Sequence, residues 1–319
     1  MAVKHKAMEW GLDLVGVTLA SPIDASHLRL LRTWLDAGYA DHMPFMHRHI
    51  QGRGDPQRLL PGARSVIVVG LNYKPSPMSL APSRRAAGRV AHYALYEDYH
   101  GFLKARLHEL AGFIRSGGNE QAQFKACVDS APLLERALAA RAGLGFIARN
   151  HMLTHPRLGP QLFLGELITT LDLAPDEPGL GDCGDCDQCI HVCPTGALRA
   201  DGSLDARRCI NTLTIERAGE IPLDLAAMLG NRVYGCDECV VACPFQQKAP
   251  VCTNPAFRFH PDRAWLDLHD ILAMTEESFE GRFADSPILR IGLERLQRNA
   301  RICVKNRTQD KESGDRSQT

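Results

Sequence analysis

Four cysteines, Cys183, Cys186, Cys189 and Cys193, stand as C-x2-C-x2-C-x3-C with Pro194 directly behind them. No other feature restricts this chain's fold as strongly. The spacing is that of the bacterial ferredoxin ligand run, in which three thiolates on a tight loop wrap one iron–sulfur cubane and the fourth serves a second cluster. The trailing proline removes a backbone donor and starts a new turn. A second run, Cys236, Cys239 and Cys243, is again followed by proline, Pro244. Aligned on its C-P end it lacks only the leading cysteine, because position 233 is Val, and Cys209 on RRCINTLTIE is the natural substitute. The expected ligand sets are Cys183, Cys186, Cys189 and Cys243 for one [4Fe-4S] cluster, and Cys193, Cys209, Cys236 and Cys239 for the other. Cys127, Cys252 and Cys303 are left over. Structural zinc also takes four cysteines, but it pairs two C-x2-C knuckles and needs neither a third close cysteine nor the prolines.

The rest of the chain sets the context. Its 319 residues carry 37 basic and 37 acidic side chains and are 45% apolar, so an ordinary packed core is available and global disorder is excluded. Zero formal charge leaves nucleic-acid binding to a local patch rather than to the whole surface. The N-terminus MAVKHKAMEWGLDLVGV lacks a signal-type apolar run or an arginine pair, and no stretch is apolar for membrane length. The expectation is a cytoplasmic protein with no membrane contact, where reduced cysteines bind metal rather than form disulfides.

Coarse patterning gives an α/β (α+β) first part. DLVGVT (13–18), SVIVVGL (65–71), FKACVD (124–129) and LFLGELITTL (162–171) read as strands. Helices are expected from His27 to Leu35, from about Asp98 with its stripe of Phe102, Leu103, Leu107, Leu110 and Ile114, and over 132–142 starting at Pro132. Helices also fit 268–274, 276–283 and 288–304. The expected organisation is an α/β domain over 1–175, a ferredoxin-like module over 176–255, C-terminal helices over 256–304 and a polar tail over 305–319. Asp129, at a strand end before a helix, fits either a site residue or a helix cap. Asp98, Tyr99 and His100 read as a cap beside a surface histidine, and Gly143 and Gly145 as a helix C-cap.

Several blocks together carry a more specific signal: WLDAGYADHMPFM (34–46), DPQRLLPGARSVIVVGLNY (55–73), EDYHGFLKARL (97–107), VDSAPLLERALAARAGLGFIARN (128–150), FLGEL (163–167), both cysteine runs with Cys209, and FADSPILRIGLERLQRNA (283–300). In these the chain resembles the epoxyqueuosine reductases, cobalamin-dependent tRNA-modifying enzymes. The resemblance implies a nitroreductase-like cobalamin-binding domain beside the two-cluster module, and reduction of epoxyqueuosine to queuosine in the tRNA anticodon loop. It implies Asp129 as proton donor, with a raised pKa, and Tyr73, Asp98, His100, Gly143, Gly145 and Arg149 around the cofactor. An external electron donor such as a flavodoxin or ferredoxin follows.

The chain departs from that pattern at Phe146, Ala148 and Arg149, where an aromatic Trp or Tyr, a Gly and a Lys are usual, and at Pro160 in place of Ser. It also ends within about twenty residues of Asn299, where many members continue into a small helical-repeat domain. Its last helix, with Arg290, Arg295, Arg298, Arg301, Lys305 and Arg307 against Glu294, fits either a solvated face or a phosphate patch. Two rival functions are a corrinoid reductase of small molecules, dehalogenase-like, and a pure electron carrier. The large domain ahead of the clusters disfavours the carrier.

Overall fold

The computed structural model describes residues 2–40, 42–80, 87–179 and 181–316. Its main sheet has four strands in the order Leu14–Leu19, Ser65–Asn72, Leu162–Thr169, Phe124–Cys127, and every neighbouring pair is antiparallel. The β-branched run SVIVVGLN forms a strand buried along its whole length. Two-sided burial explains why that strand reads as a continuous apolar run rather than an alternation. One face, with Ile67, Val69, Leu71, Phe163 and Leu167, packs on Leu103, Leu107 and Leu110 of the Tyr99–Ser116 helix. The opposite face, with Val66, Val68, Leu162 and Ile168, packs on Ala137 and Leu138 of the Glu135–Arg141 helix.

Two expectations are corrected here. The antiparallel sheet removes the strand-end argument for Asp129, which belongs to open parallel sheets. The helix expected from Pro132 begins at Glu135, because residues 128–134 form a tight loop with a left-handed residue, Asp129, at φ 51°. Asp129 is therefore six residues from the helix start and does not cap it.

The three sequence stretches are interwoven. Ala87–Val90 pairs parallel with Arg232–Tyr234, from the cysteine-dense stretch, and antiparallel with Trp265–Asp267, from beyond it. The last helix runs Leu293–Arg316, past the expected start of the polar tail at 305. Asn306 is its inner anchor there, donating to the Ala226 and Gly230 carbonyls at 3.0 and 3.1 Å. Among the described residues, no helix is long and apolar enough to cross a membrane.

That helix starts at Leu293 and not at residue 288, so Arg290 lies on the 3-10 turn Pro287–Ile291 ahead of it, and the basic residues of this region divide by task. Arg298 is buried and donates to the carbonyls of Leu213, Arg217 and Gly219, Arg295 donates to Ile215, and Arg290 pairs with Glu216. These three hold the helix against the cysteine module; Arg301 and Lys305 are exposed. The surface left for phosphate is thus smaller than the sequence suggests. Asn299, fully buried, donates to the Thr214 and Val233 carbonyls, both at 2.9 Å. Replacing it with alanine strands two buried carbonyls, a loss of about 2–3 kcal/mol. A lower anaerobic denaturation midpoint of Asn299→Ala, with unchanged iron content, is the expected result.

Candidate functional site

Asp129 lies on the loop between the Phe124–Cys127 strand and the Glu135–Arg141 helix. Its carboxylate accepts a hydrogen bond from the Tyr99 hydroxyl at 2.7 Å and meets His100 Nε2 at 3.2 Å. Asp98 completes the group: it caps the helix through the His100 N–H at 3.0 Å and holds His100 Nδ1 at 2.6 Å. The helix-cap reading of Asp98 and its placement beside His100 and Asp129 are therefore both realised. Tyr99 stacks on Phe163 at 4.2 Å and on its neighbour His100 at 4.1 Å, which fixes both rings.

The protonation pattern follows from this packing. His100 has a carboxylate on each ring nitrogen. Burial opposes its charge, yet the hydrogen bonds it donates to Asp129 and Asp98 outweigh burial and push its pKa up to about 9. Asp129 is lowered, first by His100 and then, against burial, by Tyr99. Burial acts against ionised Asp98 as well, but His100 holds it down overall. Tyr99 is raised by burial and by Asp129, so it stays a donor. The expected upward shift of Asp129 is thus reversed in the free protein, where the stored proton sits on the imidazolium. Although Asp129 has close neighbours on one side, its side chain keeps 59% of its accessible surface, so its outer edge is open to an incoming group.

The remaining sequence-selected residues have more varied placements. Tyr73 is only 5% exposed, with its ring 4.3 Å from Phe163, and supports the cluster from beneath instead of lining a surface. A Cβ on Gly143 would come within 2.7 Å of the Glu177 carbonyl, and one on Gly145 within 2.3 Å of the Thr154 carbonyl. The chain's own backbone carbonyls thus stand where a side chain on either residue would lie. Arg149 likewise turns to the cysteine module: its N–H points at Cys183 Sγ at 3.4 Å and its guanidinium reaches the Gly184 carbonyl at 3.1 Å.

The cysteines fall into two groups by mutual influence. Cys189 is acted on by Cys183, Cys186 and Cys243, whereas Cys239 is acted on by Cys209, Cys236 and Cys193. Burial pushes the Cys236 thiol up to about 11 and raises Cys209, so thiolates gathered here need a cationic centre to offset their charge. That need fits bound iron. Sequence reasoning missed Asn150, whose side chain donates to the Cys239 carbonyl at 3.1 Å. It also missed Glu135, whose carboxylate accepts the Asp129 N–H at 2.6 Å, and the fully buried Glu166. Glu166 had a usable signal: it is the one acid among Leu162, Leu164 and Ile168, which share its face of the strand.

Comparison with known proteins bears directly on this arrangement. Residues 53–130 match the family model for epoxyqueuosine reductase QueG, DUF1730, and residues 182–246 match a 4Fe-4S double cluster binding domain. The epoxyqueuosine reductase of Vibrio cholerae is 38% identical over 95% of this chain and 82% of its own length; that of Escherichia coli is 38% identical over 95% and 80%. The chain belongs to the epoxyqueuosine reductase family. A crystal structure of epoxyqueuosine reductase with an epoxyqueuosine-modified tRNA-Tyr stem loop superposes with a TM-score of 0.89 at 33% identity, covering 96% of this chain and 80% of that one. A Bacillus subtilis epoxyqueuosine reductase, solved with its catalytic aspartate loop swung out of the active site, gives 0.88 at 32% identity over the same shares. A member of this family carries its chemistry in a two-cluster oxidoreductase fold.

The electrostatics predict a specific titration. His100 is charged below its folded pKa and gains a partner on folding. Its contribution to stability is therefore complete below about pH 6.5 and is lost as pH rises through about 9. The His100 ring resonances, followed by NMR in cofactor-free protein, are expected to titrate near 9, and Asp129→Asn to move that midpoint downward.

Proposed function

We propose that this chain reduces epoxyqueuosine to queuosine in a tRNA anticodon loop, using two [4Fe-4S] clusters and cobalamin. The observation that carries this reading is the Asp129–His100–Tyr99 cluster, open on its outer edge, in a member of the family. The net change breaks both epoxide C–O bonds, consumes two electrons and two protons, and yields the alkene and water. Cobalamin, when bound, supplies the low-valent cobalt that brings the electrons to the substrate. Its place is on the exposed side of Asp98, His100 and Asp129, in a domain of nitroreductase-like type.

The chain's own residues manage the proton. Asp129 is the group that meets the epoxide oxygen, and His100, charged at neutral pH, stands 3.2 Å behind it as the source that reprotonates it. Displacing water from the open edge weakens the ionised form of Asp129 and moves the proton toward the substrate. Tyr99 keeps the carboxylate aimed while this happens. The ligand sets are Cys183, Cys186, Cys189 and Cys243, and Cys193, Cys209, Cys236 and Cys239. Electrons enter from a flavodoxin- or ferredoxin-like protein.

Anaerobic reconstitution is expected to yield about eight irons per chain, from two four-iron cubanes, and a corrin absorption after incubation with cobalamin. The reduced enzyme is then expected to convert epoxyqueuosine-containing tRNA and to leave an aryl halide untouched; the opposite preference assigns the dehalogenase-like function. Asp129→Asn is expected to keep both clusters and the corrin spectrum while losing turnover. Normal turnover by that variant removes Asp129 from the mechanism.

A further inference from the structure

Beneath Asp129 lies a pair of carboxyl groups that the proton chemistry above does not use. Glu166 sits on the Leu162–Thr169 strand, opposite Cys127 on one neighbour and Val68 on the other, and is 0% exposed. Its strand-mates on that face, Leu162, Leu164 and Ile168, are apolar and packed against the Glu135–Arg141 helix. Neither of its oxygens has a hydrogen-bond partner within normal geometry. Glu135, the first residue of that helix, is nonetheless the side chain acting on it most strongly. The helix that begins at Glu135 packs on this face of the strand, which brings its first carboxyl group beside Glu166. Two ionised carboxylates so placed are costly in a dry site; one shared proton turns repulsion into a bond.

The second connection runs upward. Glu135 accepts the Asp129 N–H at 2.6 Å, and Asp129 holds a left-handed backbone at φ 51°, a conformation that costs a non-glycine residue about 1 kcal/mol or more. Tyr99 and His100 hold its side chain, and the Glu135 carboxylate holds its backbone N–H. We propose that Glu135 and Glu166 form a buried carboxyl pair sharing a single proton, and that this pair is the positioning device that keeps the Asp129 loop in its reactive conformation. The electrostatics agree with the geometry: burial and then Asp129 push Glu135 up to about 7, and burial and then Glu135 hold Glu166 well above the ordinary carboxyl range, although Glu135 as a whole residue is only half-buried. The other charged or titratable groups facing the pair are Asp129 and Tyr99 above, Arg136 beside Glu135, and Cys127 with Lys125 on the adjacent strand. Arg136 is turned away, donating to the His151 carbonyl at 2.7 Å, and Cys127 is itself held neutral by burial. In the singly protonated state Glu166 donates to Glu135, and Glu135 spends its other oxygen on the Asp129 N–H.

The inference rests on Asp129 being the acid, and its test separates the two claims. In the holoenzyme, infrared spectra at neutral pH are expected to show a protonated carboxylic C=O band that survives in Asp129→Asn and disappears in Glu166→Gln. Glu135→Ala, which removes the acceptor, is expected to lower kcat about 10²-fold, the scale of a displacement near 1 Å at a reacting group. KM for tRNA and iron content should be unchanged. Glu135→Gln, which restores an acceptor oxygen, should recover most of that loss. A carboxylic band insensitive to Glu166→Gln, or wild-type kcat in Glu135→Ala, overturns the pair. Normal turnover in Asp129→Asn instead overturns the acid assignment, while the band still reports on Glu166.

Discussion

Three short strands from distant parts of the chain hydrogen-bond to one another, and the geometry of the whole protein depends on that small sheet. Ala87–Val90 leaves the main fold, Arg232–Tyr234 lies just ahead of Cys236, and Trp265–Asp267 opens the C-terminal part. None is long enough to be stable alone. Together they fix the second cysteine run against the wall that carries His92 and Tyr99. Tyr234 seals the joint: its hydroxyl donates to the Pro287 carbonyl and accepts from Tyr93, both at 3.0 Å.

Charge across the active region is graded by depth. At the surface, His100 and its two aspartates are ionised because each satisfies the others. Directly below, Glu135 and Glu166 are driven toward the neutral form, above all by burial. The same residue type therefore takes opposite states a few ångströms apart, according to whether an imidazolium or another carboxyl group is its neighbour. A loop residue with strained backbone marks the boundary between the two layers.

Much of this was legible in the sequence. The cysteine runs declared a two-cluster module because thiolate spacing follows cluster geometry directly, and the SVIVVGLN strand announced its two-sided burial by composition. The Tyr99–Ser116 helix was clear from its cap and stripe. Features set by tertiary contact were not. Pro132 is a good helix-starting residue, yet the loop carrying Asp129 delays the helix to Glu135. The sequence does not show that the carbonyls of Glu177 and Thr154 occupy the space beside Gly143 and Gly145. Arg298 looks like a phosphate ligand until its guanidinium is found spread over three backbone carbonyls.

Residues 149 and 150 are adjacent, and one offers an N–H to Cys183 Sγ while the next donates to the Cys239 carbonyl. Hydrogen bonds at and around cluster sulfurs are among the terms that set reduction potential. Two adjacent residues, one through its backbone and one through its side chain, thus touch both cysteine runs. Movement of this segment would be felt at the two clusters simultaneously, and a substitution that displaces it would shift two potentials instead of one.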